Sequence, residues 1–395
     1  MDELISLAAL GVAAIAAPLA ARVTGVPCVV IEMVVGLVLG PSLLGLVDPS
    51  GPWVTFLYEF GLIYLLFMAG LEVRAEFLRE RALDSLAIGS ASTLAPFAMG
   101  YALGLVLGVE PALLGVTLST TSVGVVLPAV REIEEVINSS GGSGLTRLLI
   151  GATAVSDMLS MLMLAFALPT EVPPWMTALA VAAMSLSVPW ASSLRGYSRL
   201  VESMSALEER YSFTSRLSLV LMILLAAGAH LAGAHAVVGS FFAGVLISEL
   251  VSDIRHLEDR LVSFGYSLFL PAFFLVAGAR IDLPTMLSAG RLHTIPAMLV
   301  ASYAGKILGV YASARIRGVE GERALVMGNL MWAKLSLVVA AAEAGLDLGL
   351  IGVDWYSTMV LFALFTVLLA PLAARALAER YARLVISVEE AEQAI

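Results

Sequence analysis

Long apolar runs, separated by short stretches of charged and turn-forming residues, cover nearly the whole chain. A helix that crosses the hydrocarbon core of a bilayer needs ~20 mostly apolar residues. The pattern predicts about thirteen such helices, near residues 3–22, 27–46, 54–72, 84–108, 111–130, 145–168, 174–194, 212–232, 235–251, 262–279, 293–314, 322–345 and 356–376. We therefore expect an all-α polytopic membrane protein.

Composition strengthens this prediction. Of 395 residues, 59% are hydrophobic and only 14% are charged, against roughly 25% charged residues in an ordinary soluble domain. A soluble protein of this length would need a charged surface that this sequence cannot supply. We expect residues 1–395 to form a single membrane domain in the lipid bilayer, with no soluble domain.

The basic residues predict the orientation of the chain. Most of the 22 Lys and Arg fall in the loops after odd-numbered spans or in the C-terminal tail. The loops on the opposite side hold only Arg280 and Arg291. Because cytoplasmic loops are enriched in Lys and Arg, we expect a cell-membrane protein with its N-terminus outside and its C-terminus in the cytoplasm.

Several classes of function are disfavoured. The four histidines have no ligand-like spacing, and the single cysteine, Cys28, cannot form an intrachain disulfide. The sequence contains no phosphate-binding loop, no nucleophile elbow and no basic patch. We therefore expect neither an enzyme nor a nucleic-acid-binding protein, and no cofactor.

Charged residues inside the predicted spans are the first candidates for function. Asp157 lies within GATAVSDMLSMLML, and the only two lysines, Lys306 and Lys334, lie in the eleventh and twelfth spans. Such residues cost about 2.5–3.5 kcal/mol each on insertion scales and commonly mark ion pathways. A buried carboxylate can hold a proton, bind a cation or pair with a base, which together describe proton–cation exchange. The alternative is a static bridge between Asp157 and Lys306.

Two spans carry signs of interruption. The fifth contains VTLSTTSVGVVLP, with Thr120 and Thr121 in a run of hydroxyl residues, and the twelfth contains GNLMWAKLSL, with Lys334 and Ser336. Broken helices of this kind form ion sites near the bilayer midplane in transporters. Their offset of seven spans gives them opposite directions, as in an inverted repeat. Alternatively, the hydroxyls only hold neighbouring helices together.

Glu32, in the second span, is a weaker candidate. It could line an aqueous funnel or make a polar contact between helices, and we favour the structural role.

Several segments resemble one known family in the family's own order. These are VPCVVIEMVVGLVLGPSLLG, FGLIYLLFMAGLEV, LSTTSVGVVLP, GAHAVVGSFFAGVLISE and FLPAFFLVAGARIDL. Over nearly its full length the chain resembles the monovalent cation:proton antiporter superfamily, and specifically its second family. That family includes bacterial and archaeal sodium/proton antiporters and potassium efflux systems.

The resemblance implies an architecture and a transport site. The fold would be an inverted-repeat core, approximately residues 84–168 and 293–376, with two crossing broken helices beside a dimerisation domain that makes a homodimer. Asp157 matches the cation- and proton-binding carboxylate, with Ser156 before it, and Lys306 matches the family's basic partner. Thr120 and Thr121 lie in the first broken helix. The substrates would be Na⁺, or K⁺, and H⁺.

Two departures from the family pattern bear on mechanism. Ser156 stands where relatives usually carry Asp, Asn or Gln, so we expect Lys306 to bridge Asp157 itself. In the second broken helix, Ala333, Lys334, Leu335 and Ser336 stand where relatives often have Pro-Arg-Gly-Glu.

Relatives with one aspartate tend to be electroneutral, and we expect electroneutral exchange of Na⁺ for H⁺ by alternating access. The alternatives are a K⁺/H⁺ antiporter or K⁺ efflux system, and a transport-inactive membrane sensor or subunit on the same fold.

Overall fold

The computed structural model of the chain is built of helices, and the residues it describes include no strand. Those residues are 2–73, 81–122, 126, 130, 143–168, 172–173, 175–179, 182–184, 186, 212–251 and 254–393. Eight helices in this part of the chain are long and apolar enough to cross a membrane, and shorter apolar helices accompany them. The prediction of an all-α fold with many membrane-spanning helices is therefore confirmed.

The helices follow the predicted order. The N-terminal part contains α1 (Asp2–Thr24), α2 (Cys28–Leu39), α3 (Pro52–Leu71), α4 (Ala82–Leu107), α5 (Pro111–Ser119) and α6 (Ser143–Ala167). The next group contains α7 (Phe213–Leu231), α8 (Ala236–Leu250), α9 (Ile254–Phe264), a π-helical turn (Gly265–Phe269) and α10 (Leu270–Ala279).

The C-terminal part begins with the short α11 (Leu283–Ser288) and a 3₁₀ turn (Arg291–His293). It continues with α12 (Thr294–Ile316), α13 (Gly321–Leu330), α14 (Ser336–Asp347) and α15 (Val353–Gln393). Most of the predicted seventh span, 174–194, and the end of the fifth, beyond Ser122, lie outside the described residues.

Two helices are longer than the spans predicted for them. The tenth was expected at 262–279, but its helix begins at Ile254 and runs through the π-helical turn to Ala279. The thirteenth was expected at 356–376, and α15 extends from Val353 to Gln393. In both cases the extra residues are charged and amphipathic. Hydropathy finds the segment that suits lipid, whereas a helix continues for as long as its backbone hydrogen bonds do.

The chain divides into two compact units. The first consists of Met1–Ala75 and Leu164–Met286, and the second of Glu76–Met163 and Leu287–Ile395.

The first unit is held together by two close helix crossings. Helix α2 crosses α10 at Gly36 and Gly278, and α3 crosses α8 at Gly70 and Gly244. A Cβ atom added to any of these glycines would overlap a backbone oxygen of the facing helix. Small residues allow such close approach between membrane helices, where packing rather than the hydrophobic effect drives association.

The two crossings repeat the same contact. In each one, each glycine faces the backbone oxygen of the residue three positions before the glycine of its partner helix; these oxygens belong to Leu275, Met33, Phe241 and Phe67. The paired helices are the second with the tenth predicted span, and the ninth with the third. These pairs are related by an offset of seven spans, as an inverted repeat requires. The inverted repeat stays a prediction, and this correspondence supports it.

In the second unit, α4 packs closely on α12. A Cβ atom on Gly309 would overlap the Ala91 backbone oxygen, and one on Gly305 would meet the backbone of Pro96. Apolar residues of α6, α12, α13 and α15 form a buried core beside this pair, including Leu148, Val310, Met327 and Ala374. This packing fixes the helices that carry the candidate site.

Gly278→Ala is expected to lower the thermal stability of the detergent-solubilised protein. The new Cβ meets a backbone oxygen, that of Met33, so α2 and α10 must move apart. Overpacking of this kind costs about 1–3 kcal/mol. Gly228→Ala is the matched control, because Gly228 lies in helix α7 of the same unit with no atom within 4 Å of its Cβ position. Equal melting midpoints for the two variants would contradict the packing described.

Candidate functional site

The fifth predicted span is interrupted at its hydroxyl residues. Helix α5 ends at Ser119, Thr120 adopts φ −54° and ψ 161°, and the chain is non-helical through Ser122. The Ser119 hydroxyl donates a hydrogen bond to the Val116 backbone oxygen at 2.8 Å, and such local bonds compete with the helical ladder. The last carbonyls of α5 therefore need partners from elsewhere.

The twelfth span is interrupted as well, between the end of α13 at Leu330 and the start of α14 at Ser336. The two non-helical segments meet, because the Ser122 backbone N–H donates a hydrogen bond to the Ala333 backbone oxygen at 3.0 Å. Both interruptions predicted from the sequence are thus present, and main-chain atoms join them directly.

Lys306 reaches the end of α5 from helix α12. Its ammonium donates hydrogen bonds to the Ser92 backbone oxygen at 2.8 Å, the Ser119 backbone oxygen at 2.7 Å and the Thr121 hydroxyl at 2.8 Å. The side chain is fully buried. Since an ammonium group has three N–H donors, these contacts use all of them. A direct hydrogen bond to Asp157 would replace one of the three, and the Lys306–Asp157 pair stays a prediction.

Lys334 binds the same helix end from the second interruption. Its ammonium, also fully buried, donates to the Leu118 backbone oxygen at 2.9 Å and the Thr120 backbone oxygen at 3.1 Å. Together the two lysines bind the backbone oxygens of residues 118, 119 and 120. The sequence identified Lys334 only as a secondary candidate, whereas the structure places it on the carbonyl oxygens on either side of the one that Lys306 binds.

The end of α5 favours positive charge. A helix C-terminus carries a partial negative charge of roughly half an electron, which favours the two ammonium groups. The backbone oxygens of residues 118 to 120 therefore help to stabilise both lysines at this helix end.

Three buried hydroxyls extend this cluster to helix α4. The Thr121 hydroxyl lies 2.9 Å from the Ser156 hydroxyl, which lies 2.8 Å from the Thr93 hydroxyl. The Thr93 hydroxyl also donates to the Gly89 backbone oxygen at 3.0 Å. Sequence reasoning missed Thr93, and the available signal was weak: a short run of small polar residues in the fourth span, GSASTLAP.

The other predicted residues of the site take different positions. Asp157 follows Ser156 on α6, and only 7% of its surface is exposed. The Thr120 hydroxyl donates to the Thr117 backbone oxygen at 3.4 Å, so Thr120 contributes to the lysine contacts through its main chain. Ser336 is the first residue of α14 and is half-buried.

Glu32 belongs to the other compact unit. There it is buried, and its carboxylate accepts a hydrogen bond from the Cys28 thiol at 3.6 Å. This contact within α2 fits the structural role favoured by the sequence.

The oxygen atoms of the site suit a hard cation. Carboxylate, hydroxyl and carbonyl oxygens are the ligands that such cations prefer, and Ser156 and Asp157 supply two of these types side by side. Within the described part of the chain, no group of three or more His, Cys, Asp and Glu residues could hold a resident metal ion. A carboxylate in such surroundings has the chemistry to hold either a proton or a hard cation.

Comparison with known proteins gives a consistent result. Residues 10–380 match the model of the family described as "Sodium/hydrogen exchanger, transmembrane". The Na(+)/H(+)-K(+) antiporter GerN of Bacillus cereus is 28% identical over 355 residues, covering 88% of this chain and 89% of that protein. The probable Na(+)/H(+) antiporter 3 of Methanocaldococcus jannaschii is 27% identical over 363 residues, covering 89% and 90%.

The fold also matches a solved structure, that of the sodium proton antiporter MjNhaP1 from Methanocaldococcus jannaschii at pH 8. The match has a TM-score of 0.69 and 15% sequence identity, and it covers 97% of this chain and 100% of that one. At this identity the likeness concerns the fold alone.

Thr121→Val is expected to destabilise the protein, because it leaves one N–H of the buried Lys306 ammonium without an acceptor. Hydrogen bonds to charged groups contribute about 1.5–3 kcal/mol. Thr117→Val is the matched control, since the Thr117 hydroxyl is equally buried but contacts only the Leu113 backbone oxygen and the Met359 sulfur. Thermal denaturation should give the lower midpoint for Thr121→Val, and a lower midpoint for the control would refute this ranking.

Proposed function

The chain belongs to the sodium/hydrogen exchanger family, and from that premise we propose that it exchanges a monovalent cation, Na⁺ first, for H⁺ across the membrane. One observation carries the proposal. Two interrupted helices meet at Ser122 and Ala333, and the Ser156 hydroxyl next to the buried Asp157 contacts the first of them through Thr121. This is the kind of setting in which transporters bind ions.

Asp157 is the group for which proton and cation compete. A carboxylate in a low-dielectric region is stabilised either by a proton or by a cation, and leaving it charged and unbound is costly. The ligands of the cation are the Asp157 carboxylate and the Ser156 hydroxyl, with Thr120 and Thr121 nearby. Because one group serves both substrates, binding of one requires release of the other, and alternating access then gives exchange.

The lysines serve the site by neutralising the end of α5. Without them, the backbone oxygens of residues 118 to 120 would themselves attract the transported cation. Lys306 and Lys334 bind these oxygens at 2.7 to 3.1 Å. The transported ion is thereby directed to Asp157, where a proton can displace it.

We assign exchange to the second compact unit and dimerisation to the first. The second unit, Glu76–Met163 with Leu287–Ile395, contains Asp157, both lysines and both interruptions, which supports the predicted core at approximately 84–168 and 293–376. The proposed homodimer rests on the family resemblance. The proposed orientation, with the N-terminus outside and the C-terminus cytoplasmic, rests on the arginine-rich loops.

The identity of the cation has a second candidate. A relative that is 28% identical carries the name Na(+)/H(+)-K(+) antiporter, which favours testing K⁺ beside Na⁺. Lys334 and Ser336 at the second interruption, and Ser156 before the carboxylate, are the positions that we expect to tune the choice between them.

Asp157→Asn is expected to abolish cation-driven proton movement in proteoliposomes, because the amide can neither be protonated nor balance a cation. Asp84→Asn is the control, since Asp84 lies at the start of α4 and pairs with Arg317 at 3.2 Å. A pH-sensitive dye inside the vesicles reports exchange on addition of Na⁺, K⁺ or Li⁺. Exchange retained by Asp157→Asn would refute the site, and a wild type inactive with all three cations would favour a sensor.

The cycle is expected to be electroneutral, because a single carboxylate binds either one cation or one proton. A membrane potential acts on each transported net charge with ~2.3 kcal/mol per 100 mV. The initial rate of Na⁺-driven exchange should therefore be the same at zero and at an imposed negative interior potential. A rate that changes with potential would show that a second charge moves. Lys306 would then be the first residue to test as the carrier of that charge.

A further inference from the structure

The hydroxyl chain beside Asp157 begins at a fixed end. The Lys306 ammonium can only donate hydrogen bonds, so the Thr121 hydroxyl accepts from it at 2.8 Å. At the other end, the Gly89 backbone oxygen lies 2.8 Å from the Ser92 hydroxyl and 3.0 Å from the Thr93 hydroxyl. Since Ser92 already reaches this oxygen, the Thr93 hydrogen is available to Gly89 or to Ser156.

Ser156 lies between the other two hydroxyls of the chain. Its oxygen is 2.8 Å from the Thr93 hydroxyl and 2.9 Å from the Thr121 hydroxyl, and either member of each pair can be the donor. Contacts from α4 and from the segment after α5 therefore hold the Ser156 hydroxyl in place on α6.

We propose that Thr93 is a positioning residue, which holds the Ser156 hydroxyl where its oxygen can bind the transported cation. This inference rests on the proposed function, in which Ser156 and Asp157 bind that cation. A hydroxyl is a cation ligand only through its oxygen lone pairs, so a position fixed in advance removes a cost from binding. Thr93 itself need not touch the ion.

The surroundings strengthen this effect. Thr93, Thr121, Ser156 and Lys306 are 0–2% exposed, so bulk water does not compete for their hydrogen bonds. Hydrogen bonds in series polarise one another in such an environment. The Lys306 ammonium thus acts on the chain of hydroxyls through Thr121 without contacting Ser156.

Thr93→Val tests the inference, because valine keeps the shape of threonine and removes the hydroxyl that contacts Ser156. In the proteoliposome assay, the Na⁺ concentration for half-maximal exchange should rise about fivefold, equivalent to ~1 kcal/mol, the contribution of one neutral hydrogen bond. The maximal rate should change little. Thr93→Ser retains the hydroxyl and should restore the wild-type value.

Thr358→Val is the matched control. Thr358 is equally buried and likewise donates to the backbone oxygen four residues earlier, that of Asp354 at 2.7 Å, but it lies on α15 and is not part of the chain of hydroxyls. It should behave as the wild type. Sodium-dependent thermal stabilisation of each purified variant in detergent provides a second measure of cation binding that does not depend on transport.

A double-mutant cycle separates positioning from a general packing effect. If Thr93 acts through Ser156, then adding Thr93→Val to Ser156→Ala should not raise the half-maximal Na⁺ concentration further. An additional rise in that background, or no effect of Thr93→Val in the wild type, would overturn the inference. If Asp157→Asn is inactive in the same assay, such a result leaves the proposed function standing; if Asp157→Asn still exchanges, the proposed function itself fails.

Discussion

A backbone carbonyl within a bilayer must find a hydrogen-bond donor, and the second unit of this protein is organised by that requirement. Water is absent from the hydrocarbon core, so an interrupted helix is tolerated only where protein groups replace the lost bonds. Here the C-terminal end of α5 binds the only two lysines of the chain. The charges that look unfavourable in an apolar sequence are those that allow the helix to stop inside the membrane.

Much of the fold could be predicted from the sequence, because lipid imposes strict lengths and compositions on helices. The apolar runs identified the helices, and the hydroxyl residues of the fifth span together with Lys334 identified both interruptions. The helix at Ile254–Phe264 and the helical backbone of the tail beyond residue 376 were missed for the same reason, since a hydropathy pattern measures suitability for lipid and not helical backbone. The glycine crossings were also missed, because a glycine in a sequence does not reveal which backbone faces it.

The charged residues of the site could be predicted from the sequence, but the hydrogen bonds that join its residues could not. Asp157, Lys306 and Lys334 are conspicuous because ionised groups are rare in the spans. Thr93 is not, because a threonine in a membrane helix commonly bonds to its own backbone and nothing local shows that it also meets Ser156 on another helix. The sequence also suggested that Lys306 would turn to Asp157 in the absence of a neighbouring acid. It did not reveal that the Lys306 ammonium binds the backbone oxygens of Ser92 and Ser119 and the Thr121 hydroxyl.

One contact between the two interruptions is made by main-chain atoms, the Ser122 N–H and the Ala333 oxygen. No side-chain replacement removes either atom, apart from proline at position 122. The side chains around the crossing, Lys334 included, can therefore be replaced to suit a new ion without removing this hydrogen bond. The ligands of the site can diverge from one variant to the next while this main-chain link is inherited unchanged.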